Sequence, residues 1–87
     1  MSDGFRWNAW NIDHATKHGV SISEIESVIV KGPARHIGDD KLKVVGRGQG
    51  GRWLQVIYLI GEDDDLIFVI HARPLNDREK KRARRQS

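Results

Sequence analysis

Leu42-Lys43-Val44-Val45-Gly46-Arg47, then Arg52-Trp53-Leu54-Gln55-Val56-Ile57-Tyr58-Leu59-Ile60, then Leu66-Ile67-Phe68-Val69-Ile70-His71-Ala72-Arg73 is the stretch whose reading decides the fold. β-Branched and aromatic residues fill each run and turn residues part them, so the stretch predicts three consecutive antiparallel strands. Gly48-Gln49-Gly50-Gly51 makes the first turn, where glycine takes positive φ without steric cost. Gly61-Glu62-Asp63-Asp64-Asp65 makes the second, a solvated acidic loop. In the middle run Leu54, Val56, Tyr58 and Ile60 alternate with Trp53, Ile57 and Leu59, so neither face is polar. A strand apolar on both faces is expected to be central and covered on both sides.

The flanking segments are then expected to do the covering. Gly4-Phe5-Arg6-Trp7 alternates apolar and polar residues and reads as an edge strand. Asn8 or Asn11 can cap a first helix running through Trp10, Ile12, His14, Ala15 and Lys17 to His18, with Gly19 at the C′ position. Trp10, His14 and His18 fall on one face of that helix. Ser21 and Glu24 have capping-box spacing, and Ile22, Ile25, Val28 and Ile29 form the apolar stripe of a second helix ended by Lys31-Gly32-Pro33. Ala34-Arg35-His36-Ile37 reads as a short strand turning at Gly38-Asp39-Asp40. After Pro74, Asn76 or Asp77 can cap a last helix rich in charge, with Ala83 its one apolar interruption. The expected architecture is α+β: two N-terminal helices packed on a four- to five-stranded, mostly antiparallel sheet, with a short basic C-terminal helix.

The 87 residues suit a single domain with a modest core, folded over about residues 5–82 and basic at its end. Hydrophobic residues at 38% and charged residues at 31% are ordinary for a globular chain. No apolar run approaches the roughly 20 residues of a membrane span. Met1-Ser2-Asp3-Gly4 leads straight into patterned sequence, so no signal peptide is expected. The absence of cysteine excludes disulfides and thiolate metal sites and is compatible with a reducing cytoplasm. Net charge is unevenly placed. Arg73, Arg78, Lys80, Lys81, Arg82, Arg84 and Arg85 face only Asp77 and Glu79, which leaves +5 after residue 72 and −2 before it, within an overall +3. Such an end meets phosphates or an acidic partner, or is a solvated tail.

His14 and His18 have the i, i+4 spacing of helical zinc ligands, but no glutamate of the His-Glu-x-x-His type lies between them. No metal or other cofactor is expected. Gly46-Arg47-Gly48-Gln49-Gly50-Gly51 is glycine-rich without leading into a helix or a Lys-Ser/Thr pair, and a hairpin explains it. No Ser-His-Asp or Cys-His set is present. The remaining candidates are cationic: Arg47 and Arg52 around one turn, His71 and Arg73 on one strand, Lys17 and His18 at a helix end. If they converge, they supply what RNA cleavage by a 2′-hydroxyl requires: a base, cations for the phosphorane and a proton donor. Read from the residues alone, this reaches a small basic α+β domain, with RNA binding as one open reading.

Two stretches add to that reading. Trp7-x-x-Trp10-Asn11-x-x-His14-x-x-Lys17-His18-Gly19-Val20-Ser21-x-x-Glu24 resembles the N-terminal signature of BrnT-family toxins. Gly46-Arg47, Gly51-Arg52, Ile70-x-Ala72-Arg73 and Glu79 resemble the family's C-terminal half, in the same order. The resemblance implies a RelE/ParE-like fold and a bacterial cytoplasmic endoribonuclease toxin that cleaves RNA without a metal. It further implies neutralisation by a DNA-binding ribbon-helix-helix antitoxin, with assembly as a dimer or a heterotetramer. Carried over, Lys17, His18, Arg47, Arg52, Arg73 and Glu79 would bind and cleave RNA; Lys17, His18, Arg52, Arg73 and Glu79 are the expected catalytic residues, and His14, Arg47, His71, Arg78 and Arg82 are expected to contact RNA. Three positions depart from the pattern: His14 replaces a common asparagine, His71 a small residue, and Ala83 an aromatic. The last motivates an alternative, a catalytically inactive member that only binds a protein partner or RNA.

Overall fold

The computed structural model describes residues 4–86; Met1, Ser2, Asp3 and Ser87, with the expectation attached to the start of the chain, lie outside that range. The order is α1 (Ala9–Thr16), α2 (Ile22–Lys31), β1 (Ala34–His36), β2 (Lys41–Arg47), β3 (Trp53–Ile60), β4 (Ile67–Pro74) and α3 (Asp77–Gln86). The strands form one antiparallel sheet in sequence order, so the described residues make an α+β fold of three helices and a four-stranded sheet. Among the described residues no helix is long and apolar enough to cross a membrane.

Local chemistry accounts for the helix limits. Asn8 is the N-cap of α1: its side chain accepts the Asn11 N–H at 3.0 Å, while the Asn11 side chain accepts the Asn8 N–H at 2.7 Å. Asn11 is fully buried, and its amide also donates to the Arg6 carbonyl at 2.9 Å, so no polar group is stranded there. Ser21 and Glu24 form the same reciprocal box at the start of α2. α1 stops at Thr16, short of the expected His18, because Gly19 at φ +80° turns the chain and its N–H caps the Thr16 carbonyl. Lys17 and His18 therefore stand in the connection after the helix.

The core lies between the helices and one sheet face. α2 packs on β2 and β3 and α1 on β4. Ile25, Val28, Val44, Leu54, Val56 and Val69 are fully buried between them. Gly48 lets the β2–β3 hairpin pass beneath α2, since a Cβ there would sit 2.9 Å from the Glu24 carbonyl oxygen.

Two expectations are corrected. Residues 4–7 do not form a strand: Phe5 makes one isolated parallel bridge to Ile67 before Asn8 starts α1, too short a segment for a ladder. Nor is β3 covered on both faces. Leu54, Val56 and Tyr58 are buried, whereas Trp53, Gln55, Ile57 and Leu59 are half-buried on the far face. The helix available to cover that face, α3, is too charged to seal it, and its Glu79, Arg82 and Ala83 line a groove at one end of it.

Candidate functional site

Two arrangements converge on the C-terminal half of β4. The first is a guanidinium–carboxylate clamp. Arg73 directs both terminal nitrogens at Glu79, at 2.8 and 2.7 Å, and a weaker 3.4 Å bond runs to the Gln55 side chain on β3. Gln55 is the cross-strand partner of Arg73. Glu79 is fixed as well by Asn76, whose N–H donates to it at 2.9 Å while the Asn76 side chain accepts the Glu79 N–H at 2.8 Å. This capping box starts α3, and Glu79 links it to Arg73 on β4. Arg73, then the Asn76 N–H, lower the Glu79 pKa from 4.5 to about 2. A carboxylate held so acidic is a poor proton acceptor at neutral pH, and its two oxygens are taken up by the Arg73 guanidinium.

The second is an imidazole pair. His71, two residues before Arg73, meets the His18 ring edge-on with centroids 5.5 Å apart. Burial, followed by the positive fields of His18, Arg73 and Lys17, pushes the His71 pKa below its usual 6.5. Both effects disfavour the protonated form of His71. A β-bulge at Ile57/Tyr58 shifts the register of β4 so that His71 comes opposite Ile57. The short turn after α1 brings Lys17 and His18 to the same place.

Beside the Arg73–Glu79 clamp the open sheet face carries a groove of about 610 Å3, lined by Arg35, Lys43, Arg47, Trp53 and Arg82 among others. The Arg47 guanidinium lies 5.8 Å from the Trp53 ring centroid, and its Nε donates to the Gly51 carbonyl at 2.9 Å.

Of the residues singled out in the sequence, Lys17, His18, His71, Arg73 and Glu79 gather around the end of β4, and Arg47 and Arg82 line the adjoining groove. Three do not join them. Arg52 is committed elsewhere: it grips Glu24 at 2.7 and 3.0 Å and the Gly19 carbonyl at 2.6 Å, tying β3 to the start of α2. His14 stacks on Trp10 at 3.9 Å, its Nδ1 donating to the Trp10 carbonyl at 2.7 Å, and Trp10 in turn stacks on Phe68. Arg78 is exposed on the first turn of α3. Arg35 and Lys43 line the groove without being among the candidates that the sequence offers. A signal for Lys43 exists: Lys41, Lys43 and Arg47 alternate with Leu42, Val44 and Gly46, which puts the cations on the non-core face of β2.

Among the described residues no three histidine, aspartate or glutamate side chains are gathered as metal ligands. Comparisons of the chain with protein-family models, with curated proteins and with solved structures find no match.

Proposed function

We propose that this chain is an endoribonuclease of RelE-like fold, a cytoplasmic toxin of the kind its BrnT-like motifs imply, held inactive by a ribbon-helix-helix antitoxin. One observation carries the reading: a half-buried imidazole, His71, packed edge-on against His18 with Arg73 two residues along the strand and Lys17 close by, where burial and these neighbours disfavour its protonated form. A base that stays unprotonated amid cations is what 2′-hydroxyl activation next to a phosphate requires. In the proposed step His71 takes the 2′-hydroxyl proton as the 2′ oxygen attacks phosphorus. Arg73, aimed by Glu79, and Lys17 stabilise the added charge. The P–O5′ bond breaks as His18 gives a proton to the departing oxygen, leaving a 2′,3′-cyclic phosphate and a 5′-hydroxyl.

A second reading, a binding module without chemistry, is favoured by Ala83, which faces the groove where the resembling toxins carry an aromatic. The two separate in a bacterial host induced to make this chain alone. Growth arrest by the wild type, relieved in Arg73→Ala, supports cleavage; absence of arrest with folded protein present supports the binding module.

A further inference from the structure

The groove on the open sheet face lies outside the His71 centre but adjoins it through Glu79, and its chemistry is specific. Its lining is cationic: Lys31 from α2, Arg35 and Lys43 as cross-strand partners on β1 and β2, and Arg82 from α3. Arg47 adds a further charge four residues along β2 from Lys43, about 13 Å at the rise of an extended strand. Val45 and the half-buried Trp53 ring give its lining an apolar part. Gln55 lies at the inner end, its oxygen turned to Arg73, which leaves its amide N–H groups for a ligand. Arg35, Lys43 and Arg82 make no ion pair or hydrogen bond through their side chains among the described residues, although the field of Lys43 reaches Glu79. The one carboxylate in the groove, Glu79, is neutralised by Arg73.

We infer that this groove is a nucleotide-binding subsite for single-stranded RNA beside the cleaved bond. A base stacks on Trp53, a phosphate sits between Arg35, Lys43 and Arg82, and the Gln55 amide donates to the base edge. Cations alone would suit an acidic peptide equally. A half-buried indole with a guanidinium beside it and a free amide donor is instead the equipment of base stacking and edge recognition. A volume of about 610 Å3 is in the range of pockets that enclose a small ligand and far below what a duplex needs. The inference rests on the reading of the chain as an RNA-cleaving protein, and it adds where the strand lies and which part of it is recognised.

The test uses the full chain and a fluorescent 2′-O-methyl oligoribonucleotide, which keeps phosphates and bases but lacks the attacking hydroxyl. Anisotropy gives Kd for the wild type, Trp53→Leu, Arg35→Gln/Lys43→Gln and the same proteins in rising salt, with thermal unfolding as a check on folding. Trp53→Leu is expected to raise Kd about tenfold, as removing the platform under one stacked base does. The double variant, which changes only surface side chains, should weaken binding and reduce the slope of log Kd against log salt by about 0.7 for each phosphate that is no longer neutralised. Wild-type Kd and salt slope in both variants overturn the subsite even if RNA is cleaved. Displacement of the oligonucleotide by polyglutamate, with no effect of Trp53→Leu, overturns it in favour of an acidic protein partner. Groove-dependent binding with no cleavage of unmodified RNA sustains the subsite and removes the chemistry instead.

Discussion

Arg52 and Arg73 make the same kind of bond, two N–H groups to one carboxylate, in settings that give it different consequences. Arg52 closes on Glu24 and the Gly19 carbonyl and acts as a fastener between β3 and the α1–α2 connection. Arg73 closes on Glu79 beside a groove, two residues from a histidine whose protonated form is disfavoured. Nothing in the sequence separates the two, because an arginine next to a turn does not announce which carboxylate will reach it. The capping residues were legible for the opposite reason: Ser21 and Glu24 find each other within three residues, and no tertiary contact can change that spacing. The Arg52 fastener has a pH signature. Its hydrogen bond and the Ser21 backbone hold the Glu24 pKa down from 4.5 to about 2. A carboxyl with a depressed folded pKa contributes stability that is present above 4.5 and lost as pH falls toward 2. Glu24→Gln should therefore melt below the wild type at pH 7 and lose less stability between those two pH values. Parallel Tm–pH curves for the two proteins would show that the bridge carries no linkage.

At the scale of elements, the three-stranded meander was readable because each strand repeats its apolar pattern between strong turn signals. The open second face was not. Trp53, Ile57 and Leu59 imply a covering layer, yet the covering must come from α3, whose Arg78, Lys80, Lys81, Arg82, Arg84 and Arg85 cannot be desolvated on a sheet. Apolar character therefore marks a face that is available, not one that is filled. α3 is held to the end of β4 through Asn76, Glu79 and Arg73 as one connected set of bonds. Asn76→Ala removes the cap, at a cost of about 1 kcal/mol to the helix, and frees Glu79 to wander. The expected results are faster amide exchange over residues 77–82 and weaker RNA cleavage, with little change in the exchange of β3. Equal exchange in wild type and variant would mean that the capping box does not hold α3.

Over the whole molecule, charge and fold are divided in a way that suits an anionic ligand. The helix-covered side of the sheet buries the apolar core, and cations from β1, β2, β4 and α3, together with the turn after α1, surround the other side and its edge. One sheet thus serves both as core wall and as binding surface. The central claim is that His71 moves a proton in RNA cleavage. The most direct measurement is the rate at which purified chain cleaves a single-stranded RNA from pH 5 to 8 in EDTA, beside His71→Ala. The account predicts 2′,3′-cyclic phosphate ends, a wild-type rate with an acid limb that falls as pH drops below the ordinary histidine range of about 6.5, and a loss of about 10²-fold or more in the variant. Cleavage by His71→Ala at the wild-type rate, or no cleavage by folded wild type at any pH, would contradict it.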